Sequence, residues 1–141
     1  MMAGVKSANT GVDFEAAMFS GSMNSTSQIA KCQDWYTWCT NNWVDTLCPM
    51  AYSSTAASIQ SEITTTKNFA AGKRVVAGLY IDSTSGHPVI VDQLNAIKGV
   101  GVESFIMFSG GTFAVTANQT ATASWVTGTA TIQKGDFDGD G

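Results

Sequence analysis

Apolar cores recur along the chain at Ala17, Leu47, Ala77 and Ile106, separated by 30, 30 and 29 residues. Each core has the pattern of a buried strand, and a helix-patterned stretch lies between each pair. The first strand candidate is Phe14–Phe19, ending in Ser20-Gly21-Ser22. A helix is expected next, with Thr26 or Ser27 as N-cap. Ile29, Cys32, Tyr36, Cys39 and Trp43 recur on one apolar face of it, which Trp35 and Trp38 widen. Val44–Tyr52 reads as the second strand, with Pro49 suited to its end rather than its middle. A second helix is predicted from about Ser58 to Ala71, with Ile59, Ile63, Thr66 and Ala70 on one side and Gly72 as its stop. Arg74–Ile81 is a near-continuous apolar strand, as expected when both faces are covered. Pro88 opens a third helix carrying Ile90, Leu94 and Ile97, which Gly99 or Gly101 ends. Ser104–Phe108 is the last strand. Met1–Ser7 reads as the tail of a further helix.

Strict alternation of strand and helix implies an α/β fold with parallel strands and right-handed crossovers. The spacing matches an eight-fold βα barrel, in which about 250 residues give about 31 per unit. Such a barrel does not close on four strands. The expectation is therefore a partial (β/α)8 TIM barrel, its four C-terminal βα units, over 1–113. A complete four-stranded open α/β domain is the rival. A Thr- and Ala-rich stretch at 114–133 reads as a linker.

Composition changes this picture little. Of the 141 residues, 44% are hydrophobic and 13% charged, with a net charge of −4. That is apolar material enough for a core, and no basic patch offers itself to a nucleic acid or an anionic membrane. No apolar run approaches the ~18 residues of a membrane span. No signal peptide is legible in this chain, so export of the parent protein would need a signal upstream. The three cysteines, Cys32, Cys39 and Cys48, lack zinc-ligand spacing, and Cys32 and Cys39 read as small core residues.

Trp43-Val44-Asp45 followed by Cys48-Pro49-Met50-Ala51-Tyr52 resembles the sixth-strand signature of glycosyl-hydrolase-like family 10 proteins, which are built on a TIM barrel. Gln33-Asp34-Trp35, Gln93-Leu94 and the run from Val102 to Ser109 fit the same family in the same order. Met-x-Tyr also resembles family 18 chitinases, but Ser53 stands where those carry an acid. The resemblance covers about residues 12–112 and implies the second half of a barrel from a secreted, extracellular, carbohydrate-active glycoside hydrolase-like protein. It also implies that the important acids lie on the fourth strand, before this chain begins, so no catalytic residue is assigned and the fragment alone is expected to be inactive. A non-catalytic glycan-binding or structural module on a degenerate barrel is the alternative.

Barrel chemistry sits at the carboxyl ends of the strands. That rule assigns Asp13, Glu15, Asp45 and Glu103, at strand starts, to caps and ion pairs. It leaves Met50, Tyr52, Tyr80, Asp82 and Ser109 as candidate substrate contacts: the aromatic rings for pyranose C–H faces, the polar groups for hydroxyls. His87, before Pro88, reads as a helix-start residue. The closing Asp136, Asp138, Asp140, Gly141 series over 134–141 has the spacing of a calcium loop's opening positions. It resembles the start of a type I dockerin, and equally the Asp-rich loops of FG-GAP or VCBS-type propeller repeats. The former would imply calcium and a cohesin-bearing scaffold protein as partner. A half barrel exposes apolar strand edges. Size-exclusion chromatography of the purified chain is therefore expected to show dimers or larger assemblies, whereas a cooperatively melting monomer would favour the small complete domain.

Overall fold

The structure, a computed structural model, describes residues 2–8, 11–20, 31–81 and 88–108. Its elements run α1 (Met2–Ala8), β1 (Glu15–Phe19), α2 (Trp35–Thr40), β2 (Thr46–Met50), α3 (Ala56–Phe69), β3 (Arg74–Val75), β4 (Ala77–Tyr80), α4 (Ile90–Lys98) and β5 (Phe105–Phe108). The strands form one parallel sheet in the order β1-β2-β4-β5, with β3 also on β2. Space therefore follows sequence, with no reversal of strand order.

Leu47, Val75, Ala77, Leu79 and Ile81 point to the face that the helices cover. Ile59 and Ile63 of α3 and Ile90, Leu94 and Ile97 of α4 pack there, with Ala51 and Val102, in one buried cluster. Trp35 and Cys39 of α2 close a second cluster over Met18, Val44, Leu47 and Ala70. At about 1.5–3 kcal/mol per fully buried large apolar side chain, these clusters dominate the stability of the described region. The opposite face is less well covered. Phe19, Ile106 and Phe108 remain about half exposed there, at 49%, 48% and 54%.

The first predicted helix is not continuous. Lys31 is helical, but Cys32 takes a left-handed conformation (φ 54°) and a new helix, α2, starts at Trp35. Asp34 causes the restart: its carboxylate accepts from the Thr37 amide at 3.2 Å and from the Thr37 hydroxyl at 2.6 Å. The helix then stops at Thr40, so the predicted face does not exist. Trp35 and Cys39 are buried, whereas Cys32 and Tyr36 are exposed and Trp43 lies beyond the helix. Cys32 is thus not a core residue, while Cys39 is. Thr26 and Ser27 fall outside the described residues.

Pro49 sits inside β2, fourth of five positions, and not at its end. The neighbouring bonds, Val76 N–H to Leu47 O and Ala51 N–H to Gly78 O (each 2.9 Å), place the Val76 carbonyl opposite the proline nitrogen. Proline has no hydrogen to give there. The apolar strand predicted over 74–81 is accordingly divided at Val76 into β3 and β4. Gly78 accommodates the same irregularity, because a Cβ on it would fall 2.9 Å from the Pro49 carbonyl oxygen. The third predicted helix also shifts: Val89 is the N-cap of α4, and Pro88 precedes it. Among the described residues, no helix is long and apolar enough to cross a membrane.

Among the described residues, two of the four acids at strand starts make ion pairs. Arg74 donates from Nη2 to Glu15 at 2.8 Å and from Nε to Thr46 Oγ1 at 2.9 Å. Asp45 accepts from Lys6 of α1 at 2.5 Å and from the Phe14 amide at 3.0 Å. Those two hydrogen bonds, the lysine's first, hold the Asp45 carboxyl below its usual range.

Gly78→Ala is expected to destabilise the fold by about 1–3 kcal/mol, because backbone and not a flexible side chain must move; urea denaturation checks this. The depressed Asp45 carboxyl stabilises the fold above its unfolded-state value of about 3.9 and loses that effect as pH falls through the folded-state value. The stability gap between the unaltered chain and Asp45→Asn should therefore hold from neutral pH down to about 4 and close below it.

Candidate functional site

The parallel register brings three rings together at the carboxyl ends of the strands. Tyr80 pairs with Phe108 across β4 and β5. Tyr52 follows β2 by two residues and points to the same face as Met50, whose partner is Gly78. Tyr52 and Tyr80 have ring centroids 5.5 Å apart, and each lies 5.9 Å from Phe108. The Tyr52 and Phe108 rings are stacked, with 19° between their planes. Burial, with a further contribution from Tyr80, pushes the Tyr52 phenol above its ordinary value. Two residues earlier along the strands, on the same face, lie Phe19, Met50 and Ile106, in register with Gly78. At the glycine the β2 backbone itself comes close, with the Pro49 carbonyl oxygen 2.9 Å from where a Cβ would stand. Lys31 stands 4.6 Å over the Phe19 ring, a cation–π contact at the edge of the sheet.

Met50, Tyr52 and Tyr80, predicted as sugar contacts, are thus on one face at one rim. Asp82 and Ser109 lie outside the described residues, as do His87 and Asp136, Asp138 and Asp140. Phe108 was not singled out from sequence, because its apolar run reads equally well as plain strand core. Only the register across β4 and β5 reveals that it belongs with the two tyrosines.

Glu62 was also not anticipated. Sorting acids by strand ends passes over helices, yet each helix after a strand begins at the same rim. Glu62, on the second turn of α3, accepts from the Ser20 hydroxyl at 2.8 Å and the Ser53 hydroxyl at 2.5 Å. Ser20 Oγ lies also 2.9 Å from the Met50 carbonyl. One carboxylate thereby ties together the chain leaving β1 and the chain leaving β2. Asp92, on the first turn of α4, is exposed.

At the opposite, amino-terminal rim, a concavity is lined by Lys67, Lys73, Arg74 and Glu103. Its cations already have partners. Lys67 donates to the Val100 carbonyl at 2.5 Å, Lys73 to Asn42 Oδ1, and Arg74 to Glu15 and Thr46. It is a belt joining helix ends to strand starts, and the aromatic rim is the better candidate site. Cys39 and Cys48 are free thiols held above their ordinary pKa chiefly by burial, which keeps them protonated and poor as nucleophiles.

The arrangement offers a hydrophobic, π-rich platform with hydroxyl groups at its edges. It can stack on flat apolar ligand surfaces, and beside it the Ser20 and Ser53 hydroxyls are hydrogen-bonded to the Glu62 carboxylate. Searches of protein-family models, of curated proteins and of solved structures each find no match to this chain.

Proposed function

We propose that the chain supplies the sugar-binding wall of a glycoside-hydrolase-like (β/α)8 barrel, as its four C-terminal βα units. The observation that carries this reading is the Tyr52–Tyr80–Phe108 cluster at the carboxyl ends of parallel strands, the rim where βα barrels bind. The strand order supports the barrel component, since an open doubly wound sheet reverses direction and this one does not. Pyranose rings present C–H faces that suit such a platform, with the tyrosine hydroxyls left to meet sugar hydroxyls. Hydrolysis of O-glycosidic bonds, in a polysaccharide or a peptidoglycan glycan, is then a property of the whole secreted parent, with its acids supplied from outside this chain. On the same reading Asp136, Asp138 and Asp140 open a calcium-binding module, through which a cohesin-bearing scaffold would be engaged if the module is a dockerin.

One observation favours the second reading, a glycan binder that does not cut. Glycoside hydrolysis needs two carboxyl groups some ~5–10 Å apart, and at this rim Glu62 is tied to two serines while Asp92 is turned to solvent.

Titration of the purified chain with cellohexaose, xylohexaose and chitohexaose, followed by intrinsic fluorescence and calorimetry, tests the proposal. At least one should bind saturably without being cleaved. Tyr52→Ala and Tyr80→Ala should each weaken that binding by about tenfold, the upper end for an aromatic contact. Equal binding by both variants would remove the platform from the site.

A further inference from the structure

Gln93 lies on α4, 1% exposed, and its side chain reaches the end of a neighbouring strand. Its Nε2 donates to the Tyr80 carbonyl at 2.6 Å and to the Pro88 carbonyl at 2.7 Å. Both amide hydrogens are thereby used, one on each side of segment 81–87. Gln93 Oε1 is buried without a hydrogen-bond partner among the described residues. That orientation of the carboxamide is the informative one, because a flipped amide would set its oxygen against two carbonyl oxygens.

The need for this grip follows from β2. Up to Ala51, β2 supplies partners for β4, the last being Ala51 N–H to Gly78 O at 2.9 Å, while β5 stays paired with β4 on the other side. The chain then turns away, with Tyr52 N–H bonding back to the Met50 carbonyl at 3.0 Å. The Tyr80 carbonyl, two residues after Gly78 and directed to the same side, accepts from Gln93 and not from β2. Gln93 thus replaces that strand with a side chain. The replacement fixes the backbone of Tyr80 where its ring meets those of Tyr52 and Phe108.

We propose that Gln93 is the positioning residue of the aromatic platform, tying the Tyr80 and Pro88 carbonyls to α4 so that the Tyr80 ring is held 5.5 Å from that of Tyr52. The clamp rests on the sugar-platform reading only for its use; its effect on ring spacing is independent of any ligand. An apolar side chain of similar volume would fill the same space and give up both hydrogen bonds, so packing alone does not account for a buried amide here.

The test uses Gln93→Met in a Tyr36→Phe background, in which Tyr52 and Tyr80 are the only phenols among the three tyrosines of the chain. Ultraviolet titration reads the phenols directly. In the Tyr36→Phe chain one phenol should ionise above the ordinary value of about 10. Gln93→Met should bring it back toward that value and weaken oligosaccharide binding by about three- to tenfold. An unchanged phenol titration in the folded variant overturns the proposal. If Gln93→Met does not fold, Gln93→Asn takes its place, since it keeps the amide but is one methylene too short to reach both carbonyls. An unchanged titration there overturns the proposal equally. Absence of sugar binding in the unaltered chain, with the phenol titration moving as expected, would sink the sugar reading and leave the clamp intact.

Discussion

The parallel ladder around β2 is the constraint from which the rest of the described structure follows. β2 lies between β1 and the β3–β4 strand, and Thr46, Leu47, Cys48 and Pro49 are all buried. A strand so placed must satisfy its backbone through its two neighbours, since water does not reach it. Its register therefore decides which residues of β1 and β4 share a face, and through β4 which residues of β5 do. The aromatic rim, the helix-covered core and the Glu15–Thr46–Arg74 chain are successive consequences of that one alignment.

Pro49 makes the alignment imperfect in a useful place. A missing amide hydrogen opposite Val76 divides the third strand, and Gly78 lets the backbones approach where a side chain would collide. Immediately afterwards β2 turns away and the Tyr80 carbonyl passes to Gln93. The carboxyl rim is thus the part of the sheet where backbone pairing gives way to side-chain pairing. Glu62 does comparable work one strand over, holding Ser20 and Ser53 together. Both devices fix loop ends beside the rings, and neither contributes to the apolar core itself.

Electrostatics is divided between the two rims. At the amino ends, Lys6–Asp45 and Arg74–Glu15 are partly exposed pairs, worth little individually to stability. They set charge at the strand starts and tie α1 and β3 to them. At the carboxyl ends, burial and ring–ring contact govern instead, and the raised Tyr52 phenol reports it.

Periodicity alone determined that strands and helices alternate, that the strands are parallel, and where α3, α4, β1 and β5 lie to within a few residues. It could do so because burial on one face of a helix, or on both faces of a strand, must be written as a repeating apolar pattern. It failed at the first helix, where the apolar residues continue in phase through Cys32 while Asp34 captures the Thr37 amide and restarts the backbone. It also placed Pro49 at a strand end, since a lost hydrogen bond leaves no trace in hydropathy. Tyr52 and Tyr80 were legible as a pair because both follow apolar runs at strand ends. Phe108, Glu62 and Gln93 were not, because each acquires its role from a partner 28 residues away in register, two serines on separate loops, or a carbonyl at the end of a neighbouring strand. Such contacts join distant parts of the chain, and only the folded sheet brings them within reach.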